Sequence, residues 1–184
     1  MTELDTDELF HLAIFASSKG DHEKAIVHLK AGVEREGSAR FHYLLGAEHA
    51  EIGMYPRAIE DIGTALGLDP AIAEAWFQLG LLYAMSDKKE QAIAAWDNLD
   101  RFEDRPHLRH FKTAIQHYVE HNVADAIDSM QQGLELNKTN PALNNDMIRL
   151  LQGWQDNSNL NTDEEKETSE STGHYFLSAY QNKH

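Results

Sequence analysis

Apolar and polar residues along this chain recur with a helical period, and the helical segments themselves recur. Residues 39–46 (ARFHYLLG) and 73–80 (AEAWFQLG) match at a separation of 34. A further step of 34 falls on residues 107–114 (HLRHFKTA). A step back reaches residues 6–13 (TDELFHLA), with one residue fewer in that unit. Self-similarity at this period marks a helical-repeat array, in which each unit buries its apolar face against the next. Every unit carries a small residue at its eighth position: Ala13, Gly46, Gly80 and Ala114. Every unit carries alanine at its twentieth: Ala25, Ala58, Ala92 and Ala126. Small side chains at both places let two antiparallel helices approach closely. The seventh and twenty-fourth positions are expected to fill the space around that contact, as Leu12 with Leu29, Leu45 with Ile62 and Leu79 with Trp96. The fourth unit is weaker here, with Thr113 and Met130.

Helix punctuation agrees with this frame. Asp69-Pro70 and Asn140-Pro141 each read as an N-cap followed by proline at the first helical position. Pro56 and Pro106 fall just inside other helix starts, and Asp87 and Glu90 have the spacing of a capping box. Gly20, Gly53, Asp87 and His121 take the tight turn within each unit. The pattern predicts helix pairs at 6–18 and 22–36, 39–52 and 56–67, 71–85 and 89–102, and 107–120 and 123–137. Leu143, Met147, Leu150, Leu151 and Trp154 then share one helical face and predict a helix that covers the last repeat.

The third unit shows the most complete set of signature residues: Trp76, Leu79, Gly80, Tyr83, Ala92 and Trp96. The second adds Leu45, Gly46, Ala58, Ala65 and Pro70. On these residues the stretch 6–140 resembles the tetratricopeptide repeat family. The resemblance implies an all-α fold, an α-solenoid of about four antiparallel helix pairs with a C-terminal capping helix and a polar tail. The expected organisation is a repeat domain at 1–154, with units at 6–38, 39–72, 73–106 and 107–140 and a capping helix at 141–154.

In that family the first helices line a concave groove. Carried over, the fifth positions are Phe10, Tyr43, Phe77 and Phe111, and the ninth are Ile14, Ala47, Leu81 and Ile115. The twelfth are Ser17, Ala50, Ala84 and Tyr118. An aromatic ring at every fifth position predicts an apolar strip suited to a helical or apolar peptide. The competing expectation is that these rings fill the inside of a tight superhelix. Family members that clamp a chaperone carboxylate place Lys and Asn at the fifth and ninth positions of the first unit. They also place basic residues at the second and sixth positions of the third. Here those positions hold Phe10, Ile14, Glu74 and Gln78, and Arg40 is the only basic second-position residue.

Charge narrows the partner classes. The 184 residues carry 16 Lys and Arg against 31 Asp and Glu, a formal net charge of −15. Such a surface repels nucleic-acid backbones and anionic membranes. No apolar run is long enough to span a bilayer. An acidic N-terminus without a signal-like stretch, and the absence of cysteine, lead us to expect a cytoplasmic protein without disulfides or thiolate metal sites.

Eleven histidines raise the question of a metal site. His110, His117 and His121 are spaced seven and four apart, and His42 and His49 repeat the seven. The repeat frame accounts for four of them better. His42 and His110 stand where the third unit has Trp76, and His49 and His117 stand where it has Tyr83. They are expected to be planar rings replacing planar rings. No nucleotide or hydrolase signature is present, so we expect no cofactor, no metal and no catalysis.

Residues 155–172 are polar, with six acids against one lysine for a net charge of −5, and read as a disordered linker. Residues 173–184 turn aromatic again, with Tyr175, Phe176, Leu177 and Tyr180. The leading expectation is a protein-interaction adaptor or chaperone-like scaffold. The alternative is a self-assembling structural protein, whose aromatic end docks on its own groove or a neighbouring copy's. Homo-oligomerisation stays open.

Overall fold

The first helix starts on Asp5. Its carboxylate accepts from the Glu8 amide at 2.8 Å, and the Glu8 carboxylate accepts from the Asp5 amide at 2.8 Å. This reciprocal cap satisfies two amide donors that a helix start otherwise leaves unpaired. In the computed structural model, residues 4–160 are described, with side chains through residue 156. All regular structure among them is helical.

The elements are α1 (Thr6–Ser18), α2 (His22–Arg35), α3 (Ala39–Glu51), α4 (Tyr55–Leu68) and α5 (Ala73–Met85). They continue with α6 (Lys89–Trp96), a 3₁₀ turn (Asp97–Arg101), α7 (Pro106–Val119), α8 (Val123–Leu136) and α9 (Pro141–Leu160). The chain divides into two compact units, Met1–Leu82 and Tyr83–His184, and the division falls inside α5.

In the first unit α1 pairs with α2 and α3 with α4, and α2 also packs on α3. The expected close approach at the eighth and twentieth positions is present. A Cβ added to Gly46 would come within 2.6 Å of Ile62 and 3.1 Å of the Ala58 carbonyl. Leu9, Ala13, Leu29, Phe41 and Leu45 form one core cluster there. Leu12 departs from expectation. It is exposed, because Leu9 and Ala13 are the α1 residues that join Leu29 in the core.

In the second unit α7 pairs with α8, and α9 packs on α8. Met147, Leu150, Leu151 and Trp154 are buried, as the apolar face of α9 predicts. Asn140 caps α9 by accepting from the Leu143 amide at 3.1 Å. The helix runs six residues beyond the expected end at residue 154.

All four predicted turn residues adopt the left-handed backbone: Gly20 at φ 72, Gly53 at 76, Asp87 at 57 and His121 at 63. This explains why glycine recurs at that position, since side chains at positive φ crowd the following carbonyl. It also corrects the capping-box reading of Asp87. The N-cap of α6 is Lys88, with no side-chain cap, because Asp87 is committed to the turn. Two further ends differ. Asp69 accepts from the Ala71 amide at 2.9 Å in a local turn, and α5 starts only at Ala73. The expected helix at 89–102 changes to 3₁₀ after Trp96. The Asn98 side-chain Nδ2 there donates to the Ala94 and Ala95 carbonyls and competes with the α-helical ladder.

Candidate functional site

Helix α3 is fixed from both sides through two consecutive residues. Glu48 is buried and accepts from His22 Nδ1 of α2 at 2.8 Å. His49 is buried and its Nδ1 lies 2.7 Å from the Asp61 carboxylate of α4. A carboxylate only accepts, so the proton in each bond sits on the imidazole Nδ1. His49 is therefore more than a ring in place of Tyr83, since it carries a polar tie between helices.

The start of α3 is bound to the start of α1. Phe10 meets Phe41 edge to face, with centroids 5.9 Å apart. The Arg40 guanidinium lies 5.0 Å from the Phe10 ring and 5.1 Å from the Phe41 ring. Its Nη2 reaches Asp7 and Glu36, each at 3.1 Å. Those carboxylates raise the Arg40 pKa, the Asp7 hydrogen bond most of all. The one basic second-position side chain is thus already engaged by two carboxylates and two rings.

The expected groove residues fall into two groups. On α1 and α3, Phe10, Tyr43 and Ala47 are half-buried and Ile14 is 43% exposed. On α5 and α7, Phe77, Leu81, Phe111 and Ile115 are buried. Phe111 illustrates why. Its ring lies against Gly133 of α8, where an added Cβ would meet two ring carbons at 2.5 Å. Tyr118 stacks on Trp154 of α9, with centroids 4.4 Å apart and planes 10° from parallel. The tail residues Tyr175, Phe176, Leu177 and Tyr180 lie outside the described residues.

Two accessible features were not anticipated. Phe15 of α1 is 63% exposed. Its sequence signal is its tenth-position place, where the other units have Glu48, Leu82 and Gln116. The second is a cleft of about 120 Å³ within the second unit, lined by Ala84, Ile93, Trp96 and Val119 among others. Isoleucine stands at the twenty-first position of every unit, as Ile26, Ile59, Ile93 and Ile127; three of them are half-buried, and Ile93 is exposed.

Among the described residues no three metal-ligating side chains converge, and no helix is long and apolar enough to cross a membrane.

No protein-family model matches the chain, and no curated protein does. Solved structures do. A crystal structure of MamA is similar at TM-score 0.59 and 22% identity, over 72% of this chain and 78% of that one. A second, of MamA protein, aligns at TM-score 0.58 and 20% identity, over 95% of this chain and 89% of its own. A tetratricopeptide repeat protein from Parabacteroides merdae ATCC 43184 aligns at TM-score 0.57 and 20% identity, over 83% of this chain and 62% of that one. With the helix pairs above, these likenesses establish the class: an all-α helical-repeat fold of tetratricopeptide type, as the sequence resemblance implies.

Proposed function

We propose that this protein is a protein-interaction scaffold that takes a helical or apolar peptide segment against α1 and α3. The supporting observation is the accessibility of Phe10, Ile14, Tyr43 and Ala47, the fifth and ninth positions of two neighbouring first helices. Phe77 and Leu81 in the first unit, and Phe111 and Ile115 in the second, are buried, and in this reading each pair packs its own unit and makes no contact with the peptide. Tyr118 packs through its stack on Trp154. Two half-buried rings beside an exposed isoleucine offer apolar contact at low entropic cost. The net charge of −15 favours a partner whose polar face is basic, because it steers such a segment toward the surface.

The test is selection from a displayed random-peptide library, followed by affinity measurements with three variants. Ile14→Glu and Tyr43→Ser should each weaken the selected peptides by roughly tenfold or more, the scale of losing one buried apolar contact. Val27→Glu, on the exposed side of α2, should leave them unchanged. Peptides whose affinity survives both face variants would overturn the reading, as would the failure of any amphipathic peptide to be selected.

A further inference from the structure

We propose that the cleft between α5, α6 and α7 receives the chain's own aromatic end, residues 173–184, as an intramolecular plug. The inference is independent of the peptide face on α1 and α3.

The cleft has an apolar floor and a mixed rim. Trp96 and Ala92 are buried beneath it, Ile93 is 40% exposed within it, and Ala84 and Val119 flank it. Asp87, Lys89 and Glu120 stand at its edge. An isoleucine left this open beside an indole is a place where an apolar side chain gains by leaving water.

The occupant follows from where the described chain ends. Trp154 of α9 stacks on Tyr118 in the last turn of α7. Gln116, Val119 and Glu120 of the same turns line the cleft. At 100° per residue Gln116 and Glu120 lie about 160° around α7 from Tyr118, and Val119 about 100°. Leu160, the last residue of α9, is six residues past Trp154, a rise of about 9 Å. Adding one interhelical spacing and one helix diameter, each roughly 10 Å, bounds the separation of Leu160 from the cleft at about 30 Å. Residues 161–172 are twelve, and twelve residues reach roughly 40 Å when extended. The tether is long enough and short enough to hold the aromatic segment near the cleft at high effective concentration.

Chemistry agrees with reach. Residues 173–184 contain Tyr175, Phe176, Leu177 and Tyr180 for the apolar floor, and no acid. Lys183 is their one fixed cation, opposite a rim with two carboxylates against one lysine. Residues 161–172 carry five acids and one lysine, which keeps that stretch from entering an apolar cleft.

The experiment places a photo-crosslinking benzoylphenylalanine at Phe176 in the full chain and maps its adducts by mass spectrometry. The expected result is crosslinking to α6 and the end of α7, in a product of monomer mass. Ile93→Glu should lower that yield about tenfold, the scale of one lost apolar contact. Ile93 is already partly exposed, so this variant should fold, and circular dichroism checks it. A second variant, Val119→Glu, should act in the same direction. Adducts elsewhere in the chain would overturn the proposal. So would adducts formed only between two copies, or a yield unchanged in both variants.

Discussion

The Phe111 ring fills the space that a Gly133 side chain would occupy, and Phe41 does the same at Gly32. The two glycines share the twenty-seventh position of the first and fourth units. In both, an absent side chain is what lets a phenylalanine from a neighbouring helix reach full burial. Gly133→Ala should therefore lower stability. Its gain in helix propensity, about 1 kcal/mol, is set against an overpacking cost of roughly 1–3 kcal/mol. Gly32→Ala should do the same. Gly63, inside α4 with nothing within 4 Å of an added Cβ, is the control. Gly63→Ala should stabilise by about 0.5–1 kcal/mol. Thermal melts of the three variants decide it, and a stabilised Gly133→Ala would contradict the packing described.

The tie between His49 and Asp61 gives a second prediction. Asp61→Ala leaves a buried imidazole N–H without its acceptor, and should destabilise by roughly 1–3 kcal/mol. His49→Phe in the Asp61→Ala background should recover part of that loss, since it removes the orphaned donor and keeps a ring. Urea denaturation of the single and double variants supplies the cycle. Additive effects would show that the two residues do not interact.

The repeat frame was legible in the sequence because its signals are local and repeated. The 34-residue step placed the turns correctly down to Asp87 and His121, where no glycine announces the positive φ. The close approach of Gly46 to Ala58 was legible for the same reason. What the sequence did not disclose was the inward or outward state of residues sharing one repeat position. Phe10 and Phe111 both occupy the fifth position. One is half-buried beside Phe41, and the other is sealed onto Gly133. Each has a glycine twenty-two residues on, Gly32 and Gly133, yet the space over Gly32 is taken by Phe41 and not by Phe10. No helical periodicity reports which ring fills that space. The cleft beside Ile93 was hidden likewise, because the exposed isoleucine looks the same in sequence as Ile26, Ile59 and Ile127. The start of α5 was misplaced because Asp69-Pro70 also makes a local turn.

Asp21 gives a prediction with a defined pH window. It caps α2 by accepting from the Lys24 amide at 3.2 Å, and its carboxylate meets Lys24 Nζ at 2.6 Å. The Lys24 side-chain hydrogen bond, with its backbone bond second, holds the Asp21 pKa below the usual 3.8. A carboxyl with a depressed folded pKa contributes stability above its unfolded pKa and loses it as pH falls through the folded one. Wild type should thus melt above Asp21→Ala at pH 7. The gap should narrow progressively below about pH 4, where the carboxyl protonates. Added salt should shrink the Lys24 part of the gap at pH 7, because both partners are solvent-facing. A gap independent of pH between 7 and 2.5 would assign the whole effect to helix propensity.

Arg40 joins the scaffold to the proposed binding face, and the two roles can be separated. Its guanidinium lies over both Phe10 and Phe41 while bonding to Asp7 and Glu36. Arg40→Lys keeps the charge but loses the planar surface and the fork, so it should not behave as a conservative change. It should melt below wild type, and Arg40→Met should melt close to Arg40→Lys. High salt distinguishes the parts. If ring packing dominates, 1 M salt should leave most of the Arg40→Lys deficit in place. If the carboxylate pairs dominate, it should erase the deficit. Because Phe10 is held by that contact, Arg40→Lys should also weaken the peptides selected in the functional test, although the Arg40 side chain need not touch them. A variant that lowers the melting temperature yet binds those peptides with wild-type affinity would separate the Arg40 clamp from the binding face. The contact of α1 with α3 would then be structural alone.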